Sequence, residues 1–131
     1  MAVDEHTIEV AGEPVFYRDA PGDGPTVLYL HSVPTSSDDW VPFLERGGGL
    51  AVDLLGFGRS SKAGNLAYTL PDYVTFVEGF LDVVEVGSVV VVGHGWGAAI
   101  GLAFAQRRPE RVQGLVLIDA IPLLDGFQWP K

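Results

Sequence analysis

Ser88 to Val92 reads SVVVV and runs directly into GHGWGA, Gly93 to Ala98, and then into the apolar stretch AIGLAFAQ. A continuous β-branched run without polar alternation fits a strand covered on both faces. The glycine cluster marks a sharp turn. Gly97 to Gln106 is apolar almost all round, which predicts a buried helix. A covered strand that turns at once into a buried helix needs a sheet wrapped by helices, and this excludes an all-β or all-α chain.

The rest of the chain repeats the pattern. His6 to Val10 and Pro14 to Arg18 alternate polar and apolar residues around Gly12, which predicts an opening hairpin. Thr26 to Leu30, Leu50 to Asp53 and Gly114 to Asp119 are further apolar runs. Thr69-Leu-Pro-Asp is a helix start, and Tyr73, Phe76, Val77, Phe80, Leu81 and Val84 follow at helical spacing. The predicted order is hairpin, strand, helix, strand, helix, strand, helix, strand. This is the α/β class: a mostly parallel sheet opened by an antiparallel hairpin, with helices on both faces.

At 131 residues, 47% of them hydrophobic, the chain is one domain or part of one, with enough apolar material for a core. A formal charge of -9 repels nucleic acid and anionic lipid, so neither is an expected partner. No apolar stretch reaches the roughly 20 residues of a membrane span, and MAVDEHTIEV lacks the pattern of a secretion signal, so the expected location is the cytoplasm. There is no cysteine and therefore no disulfide or thiolate chemistry. No His, Asp or Glu cluster has metal-ligand spacing along the chain and no phosphate-binding P-loop occurs, so no metal or other cofactor is expected.

Gly93-x-Gly95-x-x-Ala98 formally satisfies a dinucleotide fingerprint, with Asp119 standing at the end of the next strand as a ribose-binding acid would. That fingerprint belongs to the first strand of its sheet, whereas four strand candidates come before this one. Trp96 also puts an indole where a pyrophosphate must approach. The competing pattern is the ordered series HSVPTSSDDW after the third strand, LLGFGRS after the fourth, GHGWGA, and RPERVQGLVLID. In that order these segments resemble the α/β-hydrolase superfamily, and His94-x-Trp96-Gly97-Ala98 is most similar to the haloalkane dehalogenase and epoxide hydrolase branch. The resemblance covers the N-terminal half of such an enzyme. Residues 1–131 then form a partial core domain without the cap and the C-terminal part.

The resemblance implies an aspartate nucleophile at position 95, an ester intermediate hydrolysed by histidine-activated water, and a small-molecule substrate. It implies that Val33, through its N–H, and Trp96 stabilise the leaving halide or oxyanion. His31 and His94 then orient loops, and Asp119 stands where some dehalogenases keep the acid that orients the histidine, although an aspartate there can also cap the following loop. Three residues or segments depart from the family pattern. Gly95 has no atom that can attack carbon, so the covalent route is expected to be closed. No histidine follows His94, so no base is expected from the residues present. Ser32 stands in a segment that usually reads H-G-x-P. A carboxylate reinstated at position 95 is expected to be tolerated at up to a few kcal/mol of strain and charge burial. His6 is expected at the surface, Asp38 and Asp39 at a helix N-terminus, and Arg59 as a loop anchor. The strand Leu115 to Ile118 is expected to present an open apolar edge for a second copy or a complementary C-terminal fragment. The alternatives to a lapsed hydrolase are therefore a binding or assembly half-domain and, further off, a dinucleotide-binding domain.

Overall fold

The computed structural model describes residues 2–62 and 69–120. The alternating N-terminal residues form the hairpin β1 (Asp4–Val10) and β2 (Glu13–Ala20), antiparallel with Ile8 opposite Val15. The apolar runs form β3 (Val27–Leu30), β4 (Gly49–Val52), β5 (Val89–His94) and β6 (Val112–Ile118). A 3-10 turn at Ser37–Trp40 leads into the short helix α1 (Val41–Gly47). The longer helices are α2 (Leu70–Val83) and α3 (Trp96–Arg107).

The six strands make one sheet in the order β1-β2-β4-β3-β5-β6, in which β4, β3, β5 and β6 are parallel and the hairpin is antiparallel. Helices cover it unequally. On one face α2 and α3 bury Val77, Phe80, Ile100 and Phe104 against Leu28, Leu30, Val52 and Val91. On the other face Trp40 and Leu44, from the α1 segment, close a smaller cluster over Tyr29 and Ala51. Burying one leucine-sized side chain contributes about 1.5–3 kcal/mol, so the first face holds most of the apolar stabilisation.

The sequence predicts strands covered on both faces, and this is correct for β3 and β4 but not for the far side of the sheet. Along β5 buried residues alternate with half-buried ones, and Val116, Leu117 and Ile118 of β6 are exposed. The reason is positional. α1 contacts β2 and β4, and of β5 and β6 it is Val92, among the described residues, that packs against the cluster α1 closes, so Val116 and Ile118 on that face stay uncovered. Composition reports how apolar a strand is, whereas its cover depends on which helix reaches it.

Candidate functional site

β3 has β4 on one side and β5 on the other, so the chain reverses its direction of travel across the sheet at β3. In open α/β sheets ligands bind outside the carboxyl ends of the strands at such a reversal. The loops that leave β3 and β5 meet there. They carry His31, Ser32 and Val33 from one strand, and Gly95 and Trp96 from the other.

Gly95 links β5 to α3 with φ 59° and ψ −117°. Residues with a Cβ rarely adopt this conformation, at a cost of about 1–3 kcal/mol, whereas glycine adopts it freely. Its N–H donates to the Ile118 carbonyl at 3.0 Å, and its carbonyl accepts from Ala98 and Ala99 at 3.1 and 3.2 Å. The turn is therefore tied to both β6 and α3. Its tightness needs small neighbours: a Cβ on Gly93 would lie 2.5 Å from the Gly97 carbonyl, and one on Gly97 would collide with the Leu30 carbonyl. This is the shape of a nucleophile elbow, which presents one side chain at a strained strand-to-helix turn above the sheet. Here the turn presents none.

His31 is fully buried at the end of β3. Its Nε2 accepts from the Leu54 N–H at 2.9 Å, and its Nδ1 lies 2.7 Å from the Ser32 carbonyl. A carbonyl can only accept, so the proton sits on Nδ1 and the ring is neutral. Burial lowers the His31 pKa, outweighing the Ser32 carbonyl and the nearby Asp53 and Asp39 charges, which raise it. The ring thereby locks the loop after β3 to the loop after β4. The Ser32 carbonyl also accepts from the Thr35 N–H at 3.1 Å and the Thr35 hydroxyl at 2.8 Å, which fixes the main chain at Ser32.

Val33 and Trp96, the two residues expected at the oxyanion or halide position, both line a cleft of about 450 Å³ together with Leu54, Phe57, Tyr73 and Ile100. Both are partly exposed, at 41% and 39%. The Trp96 N–H, in the first turn of α3, has no intrahelical acceptor and carries the positive end of the helix dipole. His94 and Asp119 come together at the ends of neighbouring strands: His94 pairs with Ile118 in the parallel register, and its Nε2 lies 3.5 Å from Asp119 Oδ2. Both side chains are substantially exposed.

A family model for the α/β hydrolase fold matches residues 25–131. The chain belongs to the α/β hydrolase fold family. This α/β hydrolase chain is 37% identical over 118 residues to a haloalkane dehalogenase of Mesorhizobium japonicum, covering 87% of this chain and 38% of that protein. Among solved structures it superposes on a haloalkane dehalogenase from Bradyrhizobium elkani with a TM-score of 0.84 at 32% identity, covering 92% of this chain and 43% of the other. An epoxide hydrolase from Vigna radiata matches with a TM-score of 0.82 at 30% identity, over 93% and 41% of the two chains. The chain thus spans less than half the length of the relatives it matches.

Several features of this α/β hydrolase chain differ from what linear spacing implies. His6 is half-buried, not a free surface residue: it stacks on Tyr17 with 4.8 Å between ring centroids and bonds Asp19 Oδ1 at 2.9 Å. Asp4, His6 and Asp19 bring ligand-capable atoms within 4.8 Å of one another, because the hairpin register sets Asp4 opposite Asp19. Linear spacing hides this grouping, since Asp19 lies on the other strand of the hairpin. The His6–Asp19 hydrogen bond accounts for it. The space beside Gly95 is not open either: a Cβ there would collide with Ser32 Oγ and stand 3.0 Å from Ser32 Cβ. A side chain at position 95 therefore requires the Ser32 hydroxyl to rotate away and the Ser32 Cβ to give by a few tenths of an ångström, a contact that no one-dimensional pattern displays.

The sequence marks Asp53 only as the end of a strand. It is a buried carboxylate that accepts from the Ser37 N–H at 2.7 Å and the Arg59 N–H at 2.8 Å. Ser60 supports the same corner, donating to the Asp53 carbonyl at 2.6 Å and accepting from the Phe16 N–H at 2.9 Å. An aspartate closing an apolar strand just before a glycine-rich loop is the available signal. Arg59 lies over the Phe16 ring and pairs with Glu5, in keeping with a loop anchor. Asp38 sits in the first turn after its Ser36 cap, as expected, and also pairs with the buried Arg18 at 2.6 Å.

Proposed function

We propose that this chain is part of a cytoplasmic protein of haloalkane dehalogenase and epoxide hydrolase ancestry that cannot form the covalent ester on which those reactions depend. One observation carries this reading: the elbow is intact in backbone, yet its presenting residue is Gly95. Attack on a carbon bearing halide or epoxide oxygen needs an electron pair on a side-chain oxygen, and glycine supplies none. The surrounding features support retention of a binding cleft for a small neutral molecule. Val33 and Trp96 line its apolar wall, and the Trp96 N–H and helix dipole favour a partially negative atom.

The test is halide release from 1,2-dibromoethane and cleavage of a p-nitrophenyl ester by the purified chain, with mass spectrometry to detect an alkylated or acylated protein. The expected result is release equal to the buffer blank and an unmodified mass. Halide release or a covalent adduct on the unaltered chain would overturn the proposal. A second reading is that the chain acts as a binding or assembly unit completed by another polypeptide segment. The exposed Val116, Leu117 and Ile118 on a strand without a neighbour on its far side among the described residues favour it.

A further inference from the structure

We propose that Ser32 and Gly95 form an interlocked pair, in which the Ser32 side chain occupies the volume that an elbow nucleophile's side chain would fill. Three observations converge. The first is steric: an ideal Cβ on residue 95 would collide with Ser32 Oγ and lie 3.0 Å from Ser32 Cβ. Nonbonded carbon atoms are at their optimum about 3.5–4.0 Å apart, so both contacts are repulsive. Rotating the Ser32 hydroxyl away removes the shorter contact and leaves the second.

The second observation is that the Ser32 main chain is tethered. Its carbonyl accepts from His31 Nδ1, the Thr35 N–H and the Thr35 hydroxyl, and His31 is itself held by the Leu54 N–H. The third concerns Gly95, whose amide and carbonyl are bonded to Ile118 and to Ala98 and Ala99, so the elbow is tethered as well. Two hydrogen-bonded main chains face each other across a gap that is tight for two side chains. Serine at 32 and glycine at 95 is one solution, and glycine at 32 with a side chain at 95 is the other.

Two consequences follow. The polar group at the elbow is a neutral hydroxyl with the capacity to donate and to accept a hydrogen bond, delivered from the loop after β3. Refilling position 95 also displaces residue 32: Gly95→Asp needs the Ser32 hydroxyl to rotate and its Cβ to yield, a cost that Ser32→Gly removes.

Thermal unfolding of the full chain tests the pair by a double-mutant cycle. Gly95→Ala is measured with Ser, Ala and Gly at position 32. The strain of a positive φ at residue 95 is common to all three backgrounds and cancels, which leaves the contact with residue 32. The drop in Tm caused by Gly95→Ala is expected to be largest with Ser32, intermediate with Ser32→Ala and smallest with Ser32→Gly, the extremes differing by at least about 4 °C. Loss of folding with Ser32 but not with Ser32→Gly would support the pair equally. Equal drops in all backgrounds, or loss of folding in all of them, would overturn it, because residue 32 would then not limit position 95. Since stability is the readout, the result is independent of whether the chain turns over a haloalkane.

Discussion

His31 shows how one side chain can hold a site together without entering its chemistry. It is neutral, with both nitrogens committed, Nδ1 to the Ser32 carbonyl and Nε2 to the Leu54 N–H. Protonating Nε2 turns an acceptor into a donor that faces another donor. Because burial holds its pKa below the ordinary value of 6.5, the unfolded chain binds a proton that the folded chain refuses. The stabilisation tied to this group is therefore complete above pH 6.5 and declines as pH falls below it, by at most one bound proton per molecule. Urea unfolding between about pH 7.5 and 5 should show stability decreasing toward acid, and His31→Gln should flatten that dependence. An unchanged slope in His31→Gln would remove His31 as its cause. The sequence identifies His31 as a loop-orienting residue through its resemblance to a family position, but its partner Leu54 lies 23 positions away. Gly95 is legible for a simpler reason: the absence of a nucleophilic atom is a property of the residue itself. The occupation of its space by Ser32 belongs to the folded pair.

At the scale of elements, the helices form where local chemistry demands them. α2 begins at Thr69 with a complete capping box: the Thr69 hydroxyl accepts from the Asp72 N–H, and the Asp72 carboxylate accepts from the Thr69 N–H at 3.2 Å and the Thr69 hydroxyl at 2.7 Å. Those hydrogen bonds hold the Asp72 pKa below its ordinary value. Thr69→Ala should destabilise the chain by about 1 kcal/mol, the usual worth of an N-cap. Asp72→Asn added to it should cost less than the two single changes combined, since both residues serve one box. Urea midpoints of the three variants check this, and full additivity would show that the box does not act as a unit. Thr-Leu-Pro-Asp is readable as a helix start because caps are contiguous in sequence. By contrast, α3 reads as apolar all round yet leaves Leu102, Ala103 and Ala105 only partly covered, because its outer side meets no described element.

For the whole molecule, the decisive feature is an asymmetric sheet. Among the described residues, β1 of the hairpin forms one edge and β6 the other, with Val116 48%, Leu117 38% and Ile118 40% exposed. An apolar edge strand is a template for another chain, so the purified chain should self-associate at tens of micromolar or bind a segment that extends the sheet. Val116→Lys should weaken that association, since charged edge residues oppose strand addition. Light scattering decides it: a monodisperse monomer for both the unaltered chain and the Val116→Lys variant would count against the edge as an interface. The α/β class, the strand and helix order, the glycine elbow and its lack of a nucleophile were all written in contiguous residues, because periodicity, capping and turn chemistry act over a few positions. The buried Asp53 corner, the His94–Asp119 approach, the uneven helix cover and the contest between Ser32 and Gly95 for one volume were not. Each depends on strands adjacent in space but distant along the chain, and excluded volume between such residues exists only once the sheet has brought them together.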